Sequence, residues 1–420
     1  MVCLAFALLP VSAVPTELDA YLRREDAAFA ILSEAKRPDE SEVRFVSQRW
    51  QGNSWRHTLV TRRPADYAGD TAVLFITGDG PRPEDLNLLR LVTGAVRMPV
   101  AMLFDIPNQP IWGLKEDDLI AHTFTRYLAT GQADWPLLFP MTKAALRAMD
   151  VVQKTAPADR PIRRFIVAGA SKRGWTTWFV GVSGDRRVAG IAPMVYDNLD
   201  LRAQMANQLK TLGGYSVMIQ EYTKRGLQGQ MDTARGRELT RMVDPFSYRS
   251  RLRAPVLVVN GSNDPYWTAD STGLYYDHLP DNRRLLTVPN VGHNLGGGLA
   301  AIETIGAFAR SIAAGSPLAN LRGRVRTTES TYLADTQLSG AQRARIRIWV
   351  ARSKSQDFRT QRYEVVADRT GTPAEVRSIP FRLEGDDNAA VFVEARFESG
   401  GAGYSLSTPT QIFVRNRPRK

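Results

Sequence analysis

A serine, an aspartate and a histidine stand in this chain in an order and spacing suited to acyl transfer. Ser171 sits in FIVAGASKRGWTTW (165–178), where an apolar run over 165–168 meets Gly169, Ala170, Ser171, Lys172, Arg173 and Gly174 before the sequence turns aromatic and helix-compatible. This reads as a strand, a tight turn and a helix. Small flanking residues let strand and helix approach closely, and a strained turn lifts the serine hydroxyl above the sheet edge. The pattern is G-x-S-x-x-G, with Arg173 where the commoner G-x-S-x-G form has its second glycine. Taken alone, Ser171 would serve equally well as the N-terminal cap of an ordinary strand-to-helix turn.

A serine hydroxyl is a weak nucleophile at neutral pH, so acyl transfer needs a base to take its proton and a carboxylate to orient that base. The chain has four histidines, His57, His122, His278 and His293. Two precede Ser171, His278 falls in a stretch that reads as helix, and His293, in NVGHNLGGG, lies in a loop directly after the last strand of its region. The run PVLVVNG (255–261) leads into SNDPYW, which presents Asp264 29 residues before His293, room for one helix and one strand. Asp264 also fits a plain Asx-Pro turn before Pro265, and Asp270 is a second candidate for the acid. An oxyanion would need preorganised N–H donors, each worth about 3 to 4 kcal/mol. The candidates are the backbone of Lys172 and the loop of Gly78, Asp79 and Gly80. Arg173 could meet an anionic substrate group or stiffen the turn through a salt bridge. Trp135, Trp175, Trp178 and Trp267 come from segments that should approach the site, where they could stack on a sugar or aromatic group or simply pack in the core.

No cofactor is expected. There is no phosphate-cradling glycine loop of the Walker or dinucleotide type, and no His/Asp/Glu cluster has metal-ligand spacing. The one cysteine, Cys3, lies in the leader-like start, so a cysteine nucleophile, disulfides and cysteine-based zinc sites are excluded from the remainder.

The elements that must position these residues follow in order. Residues 16–35 read as an amphipathic helix. SEVRFVSQRW (41–50) and SWRHTLVTRR (54–63) then read as a hairpin around Gln51, Gly52 and Asn53. TAVLFITG (71–78) is a fully apolar strand of the kind buried in a parallel sheet, and it runs into the loop at Asp79. Next come a helix over 84–92, a strand in MPVAMLFDIP (98–107), helices near 119–130 and 134–152, the turn-bearing strand, and a strand over 188–197. Residues 198–250 interrupt this alternation with three helical stretches and no strand, as a cap inserted above a sheet would. PVLVVNG, a helix in GLYYDHL, RRLLTVPN (283–290) and a helix over 299–315 resume it. Together with the order serine, acid, histidine, this predicts an α/β-hydrolase fold over 14–320: a doubly wound, mostly parallel sheet with an antiparallel edge and a helical cap insertion at 198–250. Segments such as RARIRIWVARS and AAVFVEARFE alternate apolar and polar residues, predicting an all-β, sandwich-like module over 321–420.

At 420 residues and 43 % hydrophobic content the chain can bury a large core. A net charge of +12 would suit an anionic component of a cell envelope. The basic residues are scattered, with no long Lys/Arg block and no nucleic-acid motif, so no nucleic-acid partner is expected. MVCLAFALLPVSA reads as a signal peptide over 1–13, although it lacks a basic start; Val11 and Ala13 fit a cleavage site, and the run is too short to span a bilayer. The expectation is an exported protein, periplasmic or secreted, without a transmembrane anchor.

GASKRGWTTW, IPNQP, WPLLFPMTKAALRAMD, NGSNDPYWTADSTGLYYDHLP, VPNVGHN and IWVARSKSQDFR together resemble the PhoPQ-activated pathogenicity-related proteins over nearly the whole chain after the leader. The resemblance implies an exported α/β-hydrolase-like protein, encoded in bacteria under an envelope-sensing two-component system, with Ser171, Asp264 and His293 as the matching triad. Some eukaryotic members are described as secreted signalling proteins with aminodipeptidase-like activity; paired glutamates of the kind that bind a free substrate amine are not identifiable here. Two readings stand: a serine hydrolase acting on an ester or amide of a small molecule, peptide or acylated sugar, and a non-enzymatic secreted binding or signalling protein on the same scaffold.

Overall fold

The computed structural model describes residues 16–328, 331–385, 387–399 and 402–414. The signal peptide expected at 1–13 lies outside the described residues. The stretch read as one helix over 16–35 divides into α1 (Glu17–Arg23) and a strand, β1 (Ala30–Lys36). The Asp26 carboxylate accepts the N–H groups of Ala28 and of the distant Arg49, making a turn after the helix. The chain then pairs antiparallel with β2 (Glu40–Trp50). The expected hairpin forms between β2 and β3 (Asn53–Arg62).

Beyond the hairpin, strands and helices alternate as β4 (Thr71–Ile76), α2 (Pro83–Val96), β5 (Val100–Leu103), α3 (Glu116–Thr130), α4 (Leu138–Thr155), β6 (Arg164–Ala170), α5 (Lys172–Val182) and β7 (Val188–Met194). The insertion carries α6 (Leu201–Leu212), α7 (Gln220–Thr223), α8 (Leu227–Gln230) and α9 (Ala234–Val243). The sheet resumes with β8 (Val256–Gly261) and β9 (Arg283–Val288), followed by α10 (Leu299–Ala313). The nine strands lie in the order β1-β2-β3-β5-β4-β6-β7-β8-β9, parallel from β5 to β9 with β1, β2 and β3 as the antiparallel edge. This is an α/β-hydrolase fold.

The parallel strands are mostly apolar because both faces are covered, and their period of two sorts the residues between two cores. Phe165 and Val167 of β6 face the cluster of Phe139, Met149 and Phe179 from α4 and α5. Ile166 and Ala168 face the other side, with Leu89 of α2 and Phe308 of α10. The order reverses at β4, which lies between β5 and β6, so a crevice opens outside the carboxyl ends of these strands. Ser171, Asp264 and His293 all follow carboxyl ends, of β6, β8 and β9.

The helix expected in GLYYDHL is two short 3₁₀ turns, Ser271–Leu274 and Tyr276–His278. Asp197 accepts hydrogen bonds from the hydroxyls of Thr272 and Tyr275 at 2.7 and 2.6 Å, drawing the turn inward at the point where a regular helix would continue.

The C-terminal strands are β10 (Asn320–Thr327), β11 (Tyr332–Ser339), β12 (Ala344–Ser353), β13 (Glu364–Gly371), β14 (Ser378–Phe381), β15 (Asn388–Ser399), β16 (Ala402–Ser407) and β17 (Gln411–Phe413). They form antiparallel sheets ordered β10-β11-β14 and β13-β12-β15-β16, with β17 on β15. Ile346, Ile348, Val391 and Leu406 join the same buried cluster as Leu286 of β9 and Phe308 of α10, so the module completes a core of the large sheet.

Candidate active site

Ser171 stands between β6 and α5 with φ 58° and ψ −127°. A non-glycine residue at positive φ is strained by about 1–3 kcal/mol, and the turn holds it with two backbone bonds: Ser171 N–H to the Met194 carbonyl and Trp175 N–H to the Ser171 carbonyl, both 2.9 Å. The flanking glycines are required by approach. A Cβ on Gly169 would lie 2.7 Å from the Arg173 carbonyl oxygen, and one on Gly174 would lie 2.6 Å from that of Met194. The one-residue displacement of the second glycine therefore still lets α5 close on β7.

His293 Nε2 lies 2.8 Å from Ser171 Oγ, and Nδ1 lies 2.7 Å from Asp264 Oδ2. A carboxylate only accepts, so Nδ1 carries the ring proton and Nε2 is left to accept from the serine hydroxyl. Asp264 is buried, and its other oxygen accepts the Tyr266 N–H at 3.0 Å. The Tyr266 ring stacks on the imidazole at 4.2 Å between centroids.

The loops carrying the acid and the histidine are braced by the C-terminal module. The Asn263 amide donates to the carbonyls of Phe358, Arg359 and Gln361 at 3.4, 3.1 and 2.7 Å. Asn290 exchanges two bonds with the backbone of Tyr363, and Arg359 Nη1 donates to the Pro265 carbonyl at 3.0 Å.

Lys172 and Arg173 point into an ion cluster beneath the turn. Arg173 grips the Glu116 carboxylate with two bonds of 2.7 Å and donates from Nε to the Ile106 carbonyl. Lys172 Nζ lies 2.7 Å from Glu116 and 3.1 Å from Asp117. Burial alone would raise the Glu116 carboxyl, but the two cations outweigh it and hold its pKa near 2. The arginine in the turn thus ties it to the start of α3, and its guanidinium covers Gly78, where a Cβ would lie 2.6 Å from Nη2. The Gly78 carbonyl accepts from Asp105 N–H, and the Asp79 carboxylate accepts from Gln109 Nε2.

Ser171 and Lys172 open onto a cavity of about 110 Å³ under the cap. Trp175 and Trp267 line it, as does Tyr196, on which Trp175 stacks at 4.8 Å. Arg173, Gly78, Asp79 and Gly80 are not in its wall, nor are the other two tryptophans considered. Trp178 packs edge-on against Tyr275, and Trp135 packs with Trp50 and Trp112. Asp270 is bonded to Asn207 of α6, while Asp264 is the carboxylate at His293. His57 is a core residue: its Nδ1–H donates to the Phe104 carbonyl, Nε2 accepts from the Ser47 hydroxyl, and burial lowers its pKa to about 4. Among the described residues no group of three or more His, Cys, Asp or Glu side chains could hold a metal ion, and no helix is long and apolar enough to cross a membrane.

Residues 21–359 match the sequence family described as "PhoPQ-activated pathogenicity-related protein". The chain belongs to this family. Autocrine proliferation repressor protein A of Dictyostelium discoideum is 29 % identical over 348 residues, which span 76 % of this PhoPQ-related chain and 70 % of that protein. Solved structures with similar folds include acetyl xylan esterase 1 from Thermoanaerobacterium sp., at 16 % identity and a TM-score of 0.49 over 71 % of this chain and 94 % of that one. A glucuronoyl esterase from Caldicellulosiruptor kristjansonii gives 13 % identity and a TM-score of 0.44 over 71 % and 84 %.

Sequence reasoning on this PhoPQ-related chain missed Glu116, Asp117, Tyr266 and the bracing residues Asn263, Asn290 and Arg359. Tyr266 had a signal, standing two residues after Asp264 in SNDPYW. The acidic KEDD run at 115–118 had none that tied it to Lys172 and Arg173, more than fifty residues away.

Proposed function

We propose that this family member is an exported serine hydrolase that cleaves an ester or amide through an acyl-enzyme. The observation that carries the reading is the unbroken hydrogen-bonded line from Ser171 Oγ through His293 to the buried Asp264, at 2.8 and 2.7 Å, beneath a serine held at positive φ. Ser171 Oγ attacks the carbonyl carbon while His293 Nε2 takes its proton, and Asp264 stabilises the imidazolium that forms. The oxyanion is met by the Lys172 N–H, at the start of α5 where first-turn donors have no intrahelical partner, with a second donor from Gly78 or Asp79. His293 returns the proton to the leaving atom, and a water activated the same way releases the acid.

In this reading residues 14–320 are the hydrolase unit, 198–250 its cap and 321–420 a module that steadies the acid and histidine loops. Trp175 and Trp267 contact the substrate. The protein acts in the periplasm or outside the cell without a transmembrane anchor, where a net charge of +12 suits an anionic envelope component. The name of the Dictyostelium relative, a proliferation repressor, favours a second reading, a signalling protein that binds without turnover.

Hydrolysis of 4-nitrophenyl esters and aminoacyl amides by the purified protein separates the two. Turnover that falls by about 10³-fold or more in Ser171→Ala and in His293→Ala supports the hydrolase. A folded wild-type protein inert toward both substrate classes refutes it and leaves the signalling reading.

A further inference from the structure

The cavity at Ser171 carries information about which half of a substrate it holds, given the serine hydrolase reading on which this inference rests. Its wall includes Ser171, Lys172, the residue whose N–H would face the oxyanion, and Tyr266, whose ring separates the cavity from the imidazole it stacks on, but not His293 itself. The general acid must reach the leaving atom, so the leaving group lies on the His293 side of the serine. What occupies the cavity is then the part that stays bonded to Ser171 Oγ.

The wall also limits the chemistry of that part. Phe124, Trp175, Tyr196 and Trp267 present ring faces and edges, and the cap adds aliphatic side chains such as Met205 and Leu239. The charges nearest the serine are already matched: Asp117 accepts from the Tyr222 hydroxyl at 3.0 Å and pairs with Lys172, and Glu116 pairs with Lys172 and Arg173. A carboxylate or ammonium on the acyl group would enter with no free counter-charge, and the wall offers a neutral group three unpartnered buried polar atoms, Tyr196 Oη, Asn198 Oδ1 and Trp267 Nε1. An apolar cavity of about 150 Å³ accepts benzene, so the smaller 110 Å³ here limits the group to at most about one ring or a short chain.

We infer that the cavity is the acyl pocket and takes an uncharged, apolar acyl group about the size of one aromatic ring or a chain of about four to six carbons. In the acylation step the Ser171 Oγ–carbon bond forms as the carbon–leaving-atom bond breaks. The serine proton passes through His293 Nε2 to the leaving atom, so the alcohol or amine departs on the His293 side.

The test is a series of 4-nitrophenyl esters (acetate, butyrate, hexanoate, dodecanoate, benzoate and the charged hydrogen succinate), with fluorophosphonate labelling of Ser171 run in parallel. From acetate to hexanoate, kcat/KM should rise by up to about fourfold per methylene, with benzoate also preferred over acetate. It should fall again at dodecanoate, and the succinate should react at least about tenfold more slowly than butyrate. Leu239→Trp, or Met205→Trp from the cap side, should move the chain-length optimum toward shorter esters. Efficient labelling together with a preference for acetate, or with succinate as good as butyrate, would overturn the acyl-pocket inference while leaving the hydrolase reading standing. Neither labelling nor turnover in folded protein would overturn both.

Discussion

Replacing Arg173 tests why an arginine stands where the commoner turn has glycine. Its side chain is 11 % exposed and makes two bonds to Glu116 and one to the Ile106 carbonyl. Arg173→Met keeps the aliphatic stem and removes all three. Breaking a fully buried pair by deleting one partner costs about 3–5 kcal/mol. Here the Glu116 side chain is 39 % exposed and keeps Lys172 at 2.7 Å, so solvent screening and the remaining cation reduce the expected loss to about 2 kcal/mol. Urea unfolding of Arg173→Met, Glu116→Gln and the double variant measures it. The double variant should be more stable than additivity allows, by about 1 kcal/mol or more.

The effect should also depend on pH. Glu116 has a folded-state pKa near 2, below its ordinary 4.5. The stabilisation is therefore complete above about pH 4.5 and is lost as pH falls through 2, so the gap between wild type and Arg173→Met narrows on acidification. Because the guanidinium covers Gly78, the variant should also label more slowly at Ser171 under conditions where it remains folded. Additive single variants, or a gap that does not change between pH 6 and pH 3, would refute the view that this arginine is a tether.

Other predictions follow from the same geometry. Gly174→Ala places a Cβ 2.6 Å from a backbone oxygen of β7 and should cost about 1–3 kcal/mol in urea unfolding while slowing fluorophosphonate labelling at least tenfold. Asn263→Ala removes three bonds to the C-terminal module; stability should fall by about 1–3 kcal/mol, and the labelling rate should drop while the labelled residue stays Ser171. His57 is neutral in the core with a pKa near 4 against an ordinary 6.5. Its contribution is intact above pH 6.5 and is lost between pH 6.5 and pH 4, by about 3 kcal/mol, so His57→Leu should flatten the fall of thermal stability with acidification across that window.

What was legible in the sequence was what local pattern determines. β4, β6 and β8 read as buried strands because both faces are covered, which confines the polar residues to Thr71, Arg164 and Asn260 at or near their ends. The candidate positions Ser171, Asp264 and His293 could be picked out because each stands in a loop after a strand, β6, β8 and β9. Pattern failed where a distant partner decided the outcome. The 16–35 stretch has helical spacing, yet the Asp26 turn and the open edge of β2 take its second half. GLYYDHL reads as helix, yet the buried Asp197 pulls Thr272 and Tyr275 into 3₁₀ turns. Trp175 and Trp178 are three residues apart on α5, but only Trp175 faces the cavity, which no composition argument separates. The Arg173–Glu116 tether joins residues 57 apart, and Asn263 finds its carbonyls nearly a hundred residues away, so neither leaves a local trace.

Ser171 as an activated nucleophile is the centre of the account, and peptide mapping after reaction with a fluorophosphonate tests it most directly. The predicted result is one adduct per chain on the peptide containing Ser171, abolished by Ser171→Ala and strongly slowed by His293→Ala. Modification of a different residue, or labelling of Ser171 at the same rate with His293 replaced, would contradict it.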